Sequence, residues 1–416
     1  MELTTLIVWI AYFIGLYFSV FWLLVFLDKG AKDVLKKQAT EFPFVSVIIP
    51  AYNEEGSIAE TIKSAVNLDY PKNKIEIIAV NHGSADKTGN IMDSFRRDGV
   101  KVLHIGRNPG DRKGAAVNAG LKAARGEFVA CLDADSFIEK DALIKMLPYF
   151  ESKDVGAVLP RMIATGGNGF VKKIQWVEYV VTYLYKKLMG HVDCIHVTPG
   201  PFSLYKRKYI DMVGGFDSSN LVEDMDMALK LQRKNLKIIQ TYDAVARTVI
   251  PENWREFYAQ RNRWYKGGLL NVMKHKDMLL NSRYGEFGLM QMPMMIITAL
   301  LSLVVFTIIY YGQVFKPLFR RIYDWYYTGF PIEMSVRKFF ENLMLIDINF
   351  DRIFFIYLII ILGIIFVVLA FRISNLKLSE KGYRAPVLFL AFYPLMIFAV
   401  WCGVVKDLLT RKKQKW

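Results

Sequence analysis

"FVSVIIPAYN", Phe44–Asn53, is the stretch whose reading decides the fold. Its apolar run is nearly continuous and ends in a polar turn. A strand covered on both faces has that pattern. "EEGSIAETIKSAVNL" follows, with Ile58, Ile62, Ala65 and Val66 at helical spacing. "KIEIIAV" reads as a second buried strand, and a helix is expected from about Asp86 to Arg97. The strand "VKVLHI", the helix "KGAAVNAGLKAA" and the strand "EFVACLDAD" come next. This alternation predicts an α/β domain with a doubly wound, mostly parallel sheet. Ligands of such sheets bind beyond the carboxyl ends of the strands. Three polar clusters fall at those ends: Asn53–Glu54, Asn81–Asp86 and Asp133–Asp135.

Outward from this core the composition changes. The chain has 416 residues, 53% of them hydrophobic, and a mean hydropathy of +0.22. That is too apolar for an ordinary soluble enzyme, and the excess lies at the two ends. Leu3–Leu27 carries no charge and is long enough to cross a bilayer. It is too long for a secretory signal and has no basic segment before it, so it reads as a retained anchor. Leu289–Tyr311, Ile353–Phe371 and Pro386–Val405 are later apolar runs. The expected organisation is an anchor over 1–28, a basic juxtamembrane linker over 29–43 and the α/β domain over 44–252. Amphipathic interfacial helices then cover 253–288, and a transmembrane region of about three spans with a basic tail covers 289–416.

Net charge is +15, with basic residues gathered beside the apolar runs: Lys29, Lys32, Lys36, Lys37, then Arg411, Lys412, Lys413, Lys415. Contact with anionic lipid headgroups explains that placement. No nucleic-acid motif and no internal repeat is present. Cys131, Cys194 and Cys402 have neither metal nor disulfide spacing, which fits reduced thiols in a cytosol-facing domain. Lys29–Lys37 after the first run puts the N-terminus outside and the α/β domain in the cytosol. The later loops, Lys316–Arg321, Arg372–Arg384 and Lys406–Lys415, are all basic. Three crossings would leave the basic tail outside, against the charge rule. Either one run is re-entrant or a further span hides in "VFKPLFRRIYDWYYTGF", and both readings stay open.

Several residues are candidates for chemistry. Asp133 and Asp135 alternate around Ala134, so in extended backbone both face one way. Two carboxylates on one side of a strand end repel unless a cation lies between, and a hard divalent ion bridging to phosphate fits. The other reading is a solvated turn whose Asp caps the helix near Glu139. Arg112 and Lys113 open a helix, where basic side chains oppose the dipole. A nearby anion explains them, and plain surface charge is the alternative. Glu223 and Asp224 stand before an amphipathic helix, where dipole capping and catalysis are both open. "WREFYAQRNRWYKGG" is an amphipathic helix with Gln260, Arg263, Trp264 and Lys266. It reads as part of a site or as a simple interfacial anchor.

Taken in order, "IIPAYNEE", "GSADKT", "RKGAAVNAGL", "LDADS", "TPGPFSLYKRK…GGF", "VED" and "QRNRW" resemble the processive, membrane-embedded family 2 glycosyltransferases: cellulose, chitin and hyaluronan synthases and their relatives. The resemblance runs from Val45 to about Gly268 and implies a GT-A-like nucleotide-binding domain. It implies that Tyr52 and Glu54 flank the nucleoside, with His82 beside the base. Lys113 and Asp133 would meet the phosphates, and Asp135 a Mg2+ or Mn2+ ion. Asp224 would be the general base, with Glu223 beside it. Gln260 and Arg263 would face the diphosphate, and Trp264 would stack under the acceptor sugar. The implied reaction is an inverting displacement that takes a sugar from a UDP-sugar to a glycan or a lipid-linked acceptor at the plasma membrane.

Processive extension of a β-linked polysaccharide, coupled to export, is the leading expectation. Single transfer to a lipid or polyprenyl-linked glycan is the second, since ceramide glucosyltransferases carry a similar Gln/Arg-x-x-Arg-Trp motif. An inactive transferase-like partner subunit is the third. Membrane lipids and an accessory subunit are the other expected partners. Two positions depart from the family pattern. Val222 stands where the family has Thr, and His82 where it has the Asp that accepts from a uracil N–H. A neutral imidazole accepts through one ring nitrogen and donates through the other, so uridine binding survives in altered form. A cap on the turn to Asp86 is the alternative role for His82.

Overall fold

The computed structural model describes residues 3–29, 41–311, 315–328 and 350–410. Most of the expected linker, residues 30–40, and the basic tail, 411–416, lie outside the described residues. The chain divides into two compact units, Met1–Asp28 with Ile297–Val368, and Lys29–Ile296 with Leu369–Trp416. The α/β domain belongs to the second.

The opening stretch forms β1 (Val45–Ala51), buried at every position. It pairs in parallel with β2 (Ile75–His82) and β4 (Phe128–Cys131), and β2 pairs in parallel with β3 (Lys101–Ile105). The sheet continues through β5 (Ser136–Ile138), β6 (Val155–Thr165), β7 (Ser203–Lys206) and β8 (Lys237–Val249), in the order β3-β2-β1-β4-β7-β6-β8-β5. β7 enters antiparallel between β4 and β6, and β5 lies antiparallel on β8. The sheet is therefore mixed, and the expected parallel half is the half that carries the polar strand ends.

Alternate residues of β1 feed opposite layers, as a pleated strand requires. Val45, Val47 and Ile49 join one core with residues of α2 (Ile58–Val66), α3 (Thr88–Ser94) and α5 (Ala142–Met146). Ile48 joins the other, with α4 (Lys113–Ala123), α7 (Arg207–Met212) and α8 (Glu223–Arg233). Cover on both faces is the cause of the nearly continuous apolar run. Two longer helices, α6 (Phe170–His191) and α9 (Trp254–Lys274), complete the domain.

The remaining helices are α1 (Leu3–Lys29), α10 (Met292–Tyr310), α11 (Lys316–Thr328), α12 (Phe350–Ser374) and α13 (Arg384–Leu409). Among the described residues, Leu6–Lys29, Phe287–Val304 and Arg384–Leu409 are long and apolar enough to cross a membrane, and Ile360–Ser374 is shorter. Within "VFKPLFRRIYDWYYTGF" the described residues 315–328 hold one short helix. α11 has 13 residues there, about 20 Å of helix against a hydrocarbon layer of about 30 Å. It also carries Lys316, Arg320, Arg321 and Asp324.

Candidate active site

Beyond the ends of β1 and β2 the chain is tied together by its own polar groups. Asn53 has φ 56°, a left-handed conformation that Asn tolerates. Its N–H donates to Ser84 Oγ (3.0 Å), and its Oδ1 accepts from the Ala85 N–H (2.8 Å). Glu54 donates its N–H to Thr88 Oγ1 (2.7 Å) and accepts from Ser57 Oγ (2.9 Å). Burial, with the charges of Asp133 and Asp86, raises the pKa of the Glu54 carboxyl against that hydrogen bond. The Arg107 guanidinium lies 4.4 Å above the Tyr52 ring.

His82 ends β2 with no exposed surface. Its Nε2 lies 4.0 Å from Asp111 Oδ2. Burial, then the Arg107 charge, lowers its pKa and so favours the neutral ring. The turn-capping role is filled by others: Asn81 Oδ1 accepts from the Ser84 N–H (3.1 Å), and Asp86 Oδ1 from the Thr88 N–H (3.0 Å). Tyr52 and Arg107 beside His82 are both half-buried.

Beyond β4 the charges crowd. Lys113 opens α4 and pairs with Asp133 Oδ1 (2.5 Å) and Glu223 Oε1 (3.0 Å). Beside this helix start stand two of the protein's own carboxylates. Burial works against the ammonium, but Asp133, Glu223 and Asp224 outweigh it and hold Lys113 well above its ordinary pKa. Asp135 is pushed up to about 7 by burial and then by the charges of Asp133 and Glu54. Neither Asp caps the following helix. Its N-cap is Asp141, and Asp135 Oδ1 accepts from Ser136 Oγ (3.0 Å).

The turn-rich loop Thr198–Ser203 braces these acids. Thr198 Oγ1 donates to the Asp224 carbonyl (2.8 Å). A Cβ on Gly200 would strike the Asp133 carboxylate, so a side chain there would push that carboxylate aside. Phe202 is buried at φ 61°, strain of the kind that collects at functional sites. Asp224 lies in the first turn of α8, where its charge favours the helix dipole. Its Oδ1 accepts from the Met225 N–H (2.8 Å). Burial, then the Glu223 charge, pushes it up to about 6. A carboxyl with that value is a base near neutral pH, so cap and base are compatible roles.

α9 is more than a surface anchor. Phe257, Arg261, Asn262, Lys266 and Asn271 are buried along it. Trp264 packs with Val222 and Met225, and a Cβ on Gly267 would strike Val222. Val222 therefore serves as an apolar contact between α8 and α9. Arg263 Nη1 donates to the Leu221 carbonyl (3.3 Å). Burial and the charges of Arg263 and Arg107 lower the pKa of Arg112, so cations gather on this side of the cleft. Gln260 Oε1 accepts from Arg261 Nη1 (2.5 Å).

Residues 46–214 match the family model of glycosyl transferase family 2. The chain carries a family 2 glycosyltransferase domain. Over 266 residues it is 28% identical to a beta-monoglucosyldiacylglycerol synthase of Trichormus variabilis, covering 63% of this chain and 57% of that protein. Over 238 residues it is 30% identical to a poly-beta-1,6-N-acetyl-D-glucosamine synthase of Staphylococcus epidermidis, covering 56% and 57%. The chain thus spans a little over half the length of these relatives. The mannosyltransferase PcManGT of Pyrobaculum calidifontis, solved with GDP-Man and Mn2+, superposes with a TM-score of 0.58 at 18% identity, over 91% of this chain and 99% of that one. It shares the GT-A-like fold.

Around these acids the structure also gathers residues that the sequence did not single out. Arg261 is 1% exposed. It donates to Glu178 Oε2 (2.7 Å) and lies 4.0 Å from the Trp264 ring centroid. Glu178 Oε1 also accepts from Tyr393 OH (3.0 Å). α6 supplies Tyr179, within electrostatic reach of Asp135 and Asp133, and Lys186, within reach of Asp224. Helical spacing of Val171, Ile174 and Val177 would have revealed α6 as a helix. Nothing local ties it to the acids.

Proposed function

We propose that this protein is an inverting glycosyltransferase that moves a sugar from a nucleotide diphosphate to a hydroxyl of a membrane-borne acceptor. The observation that carries the reading is the single cluster in which Lys113 joins Asp133 to Glu223 beside Asp224.

No three His, Cys, Asp or Glu side chains among the described residues form a ready metal cage. Asp133 and Asp135 offer two carboxylates that burial and mutual charge disfavour when ionised together. That set suits a hard ion which completes its shell with phosphate oxygens. Bound there, Mg2+ or Mn2+ would offset the charge developing on the leaving diphosphate. Asp224 takes the proton of the acceptor hydroxyl on Oδ2, since Oδ1 is engaged by the Met225 N–H. Arg263 and Lys113 face the departing diphosphate, where preorganised cations are worth most. Trp264 offers an aromatic face to the acceptor sugar and holds it in line. His82, Tyr52 and Glu54 form the nucleoside end, and Gln260 stands between diphosphate and acceptor.

Both acceptor classes have a relative: a glycolipid synthase and a polysaccharide synthase. The small number of candidate spans among the described residues favours single transfer to a lipid-borne acceptor over polymer export. The domain would lie on the cytosolic side of the membrane. Purified full-length protein in liposomes, offered UDP- and GDP-sugars with Mg2+ or Mn2+ and a lipid acceptor, tests this by product mass. A single added sugar is expected. A ladder of products returns the polymerase reading, and no transfer from any nucleotide sugar overturns the proposal.

A further inference from the structure

α13 passes every test of length and composition for a span, yet its surroundings do not suit one. Its burial is one-sided from end to end. Ala385, Met396, Val400 and Val404 are buried, while Val387, Ala391, Leu395, Cys402 and Leu409 are exposed. The covering surface is the catalytic domain itself. Phe392 packs on Phe170 with centroids 5.2 Å apart, and Tyr393 bonds Glu178. Trp401 stacks on Tyr265 at 4.9 Å with planes 9° apart. Gly403 leaves no room for a Cβ against the Tyr258 ring. The shared apolar cluster runs from Leu388 to Leu408, about 30 Å of helix.

That distance equals the whole hydrocarbon thickness, about 30 Å. If α13 crossed, α6 and α9 would be drawn into the hydrocarbon alongside it. Those helices carry Lys172, Lys186, Arg255, Glu256 and Lys266, and charges at bilayer depth cost several kcal/mol each, by about 3 kcal/mol on insertion scales. The chain also enters α13 while already on the domain. Phe371 packs on Trp176 at 5.2 Å, Arg161 Nη1 donates to the Ser374 carbonyl (2.5 Å), and Lys381 Nζ to the Gly166 carbonyl (2.6 Å).

We propose that α13 does not cross the bilayer but lies in the plane of the leaflet facing the catalytic domain. Its inner face rests on α6 and α9, and its outer apolar face sits in the acyl layer of that leaflet. Lys381, Arg384 and Lys406 near its ends suit anionic headgroups around an in-plane helix. The inference resolves the conflict in the charge pattern. With α13 out of the count, α10 and the 25-residue α12 are the two later crossings that return the chain to the domain's side. Arg372–Arg384 and the basic tail then lie there, and Lys316–Arg321 alone faces the other way. None of this depends on the reaction proposed above.

Sidedness tests it in the full-length protein. Single cysteines replace Lys101 on exposed β3 and Gln414 in the tail, in a Cys402→Ser background where the remaining cysteines are buried. A membrane-impermeant maleimide is applied to inverted and right-side-out vesicles. Both sites should label in the same orientation, and labelling in opposite orientations overturns the proposal. Depth gives a second readout on separate variants. A fluorophore at Val387→Cys, Leu395→Cys or Leu409→Cys is quenched by spin-labelled phospholipids in phosphatidylcholine–phosphatidylglycerol vesicles. Equal depth at all three is expected, and a much deeper Leu395 position means a crossing helix.

Discussion

The two ends of the proposed site are built on opposite terms. At the nucleoside end the protein satisfies itself: Arg107 lies over Tyr52, His82 is sealed with its neutral form favoured, and Asn53 is tied to the neighbouring turn. At the reacting end four carboxylates, Asp133, Asp135, Glu223 and Asp224, gather around the Lys113 ammonium. The first end is a packed surface that a ligand joins. The second is an electrostatic imbalance that the proposed cation and diphosphate would relieve. Changes at the reacting end should therefore alter turnover and pH dependence, while changes at the nucleoside end should alter which nucleotide binds.

The largest effect is expected from Asp224→Asn. General-base catalysis contributes about 10²–10⁴ in rate, so turnover should fall by about a thousandfold while nucleotide affinity and melting temperature hold. Wild-type turnover should rise with pH through about 6, where Asp224 ionises, and then level off. That limb should vanish in the variant. Unchanged turnover would remove Asp224 from the mechanism.

Asp135→Asn should follow, with a loss of about a hundredfold, the scale on which a single charge-stabilising group acts. Its stability signature has a definite sign. The folded carboxyl sits at about 7 against an ordinary value near 3.8, so the folded state holds the proton longer. Its stabilising contribution is complete below about pH 4 and is lost as pH rises through about 7. His82 and His196, with lowered values, act in the opposite direction and are common to both proteins. The wild-type melting temperature without ligand, compared with the variant's, should therefore decline from pH 5 to 8. A divalent ion with nucleoside diphosphate should cancel that relative decline. Parallel curves would show that Asp135 ionises normally.

A smaller effect is expected from Tyr393→Phe. It removes one hydrogen bond to Glu178, about 1 kcal/mol, and loosens the brace that holds Arg261 against Gln260 and Trp264. The acceptor KM should rise about fivefold, with nucleotide binding unchanged. A change in nucleotide binding alone would place the brace at the wrong end of the cleft. His82→Asp should affect turnover least. At saturating donor the rate should stay within about twofold, since no charge-stabilising group at the reaction centre is touched, while affinity or preference among nucleotides shifts. A fall in turnover with nucleotide preference intact would show that the two ends are coupled.

Much of this comparison was legible in one dimension. The nearly continuous apolar run of Val45–Ala51 meant cover on both faces, and the polar residues at three strand ends meant a shared cleft. Asp133 and Asp135 follow a strand end and Asp224 opens a helix, positions that local periodicity sets, whereas Gln260, Arg263 and Trp264 lie inside α9 and stood out only through the motif they resemble. His82 was readable as a departure, but not as a sealed residue. Its cover comes from Arg107 and Asp111, which the fold brings across after β3. Arg261 was hidden between motif residues because its partner, Glu178, is 83 positions away in sequence.

Sequence alone determined which segments are apolar, which strands are buried and where the acids lie along the chain, because those properties follow from side-chain chemistry and a repeat of two or 3.6 residues. Only the tertiary structure decided what covers each apolar face. Leu3–Leu27 and Arg384–Leu409 look alike as compositions, since a helix buried in lipid and one buried against protein need the same side chains. The contacts of Tyr393, Trp401 and Gly403 with α6 and α9 separate α13 from a span, and they depend on residues more than a hundred positions upstream.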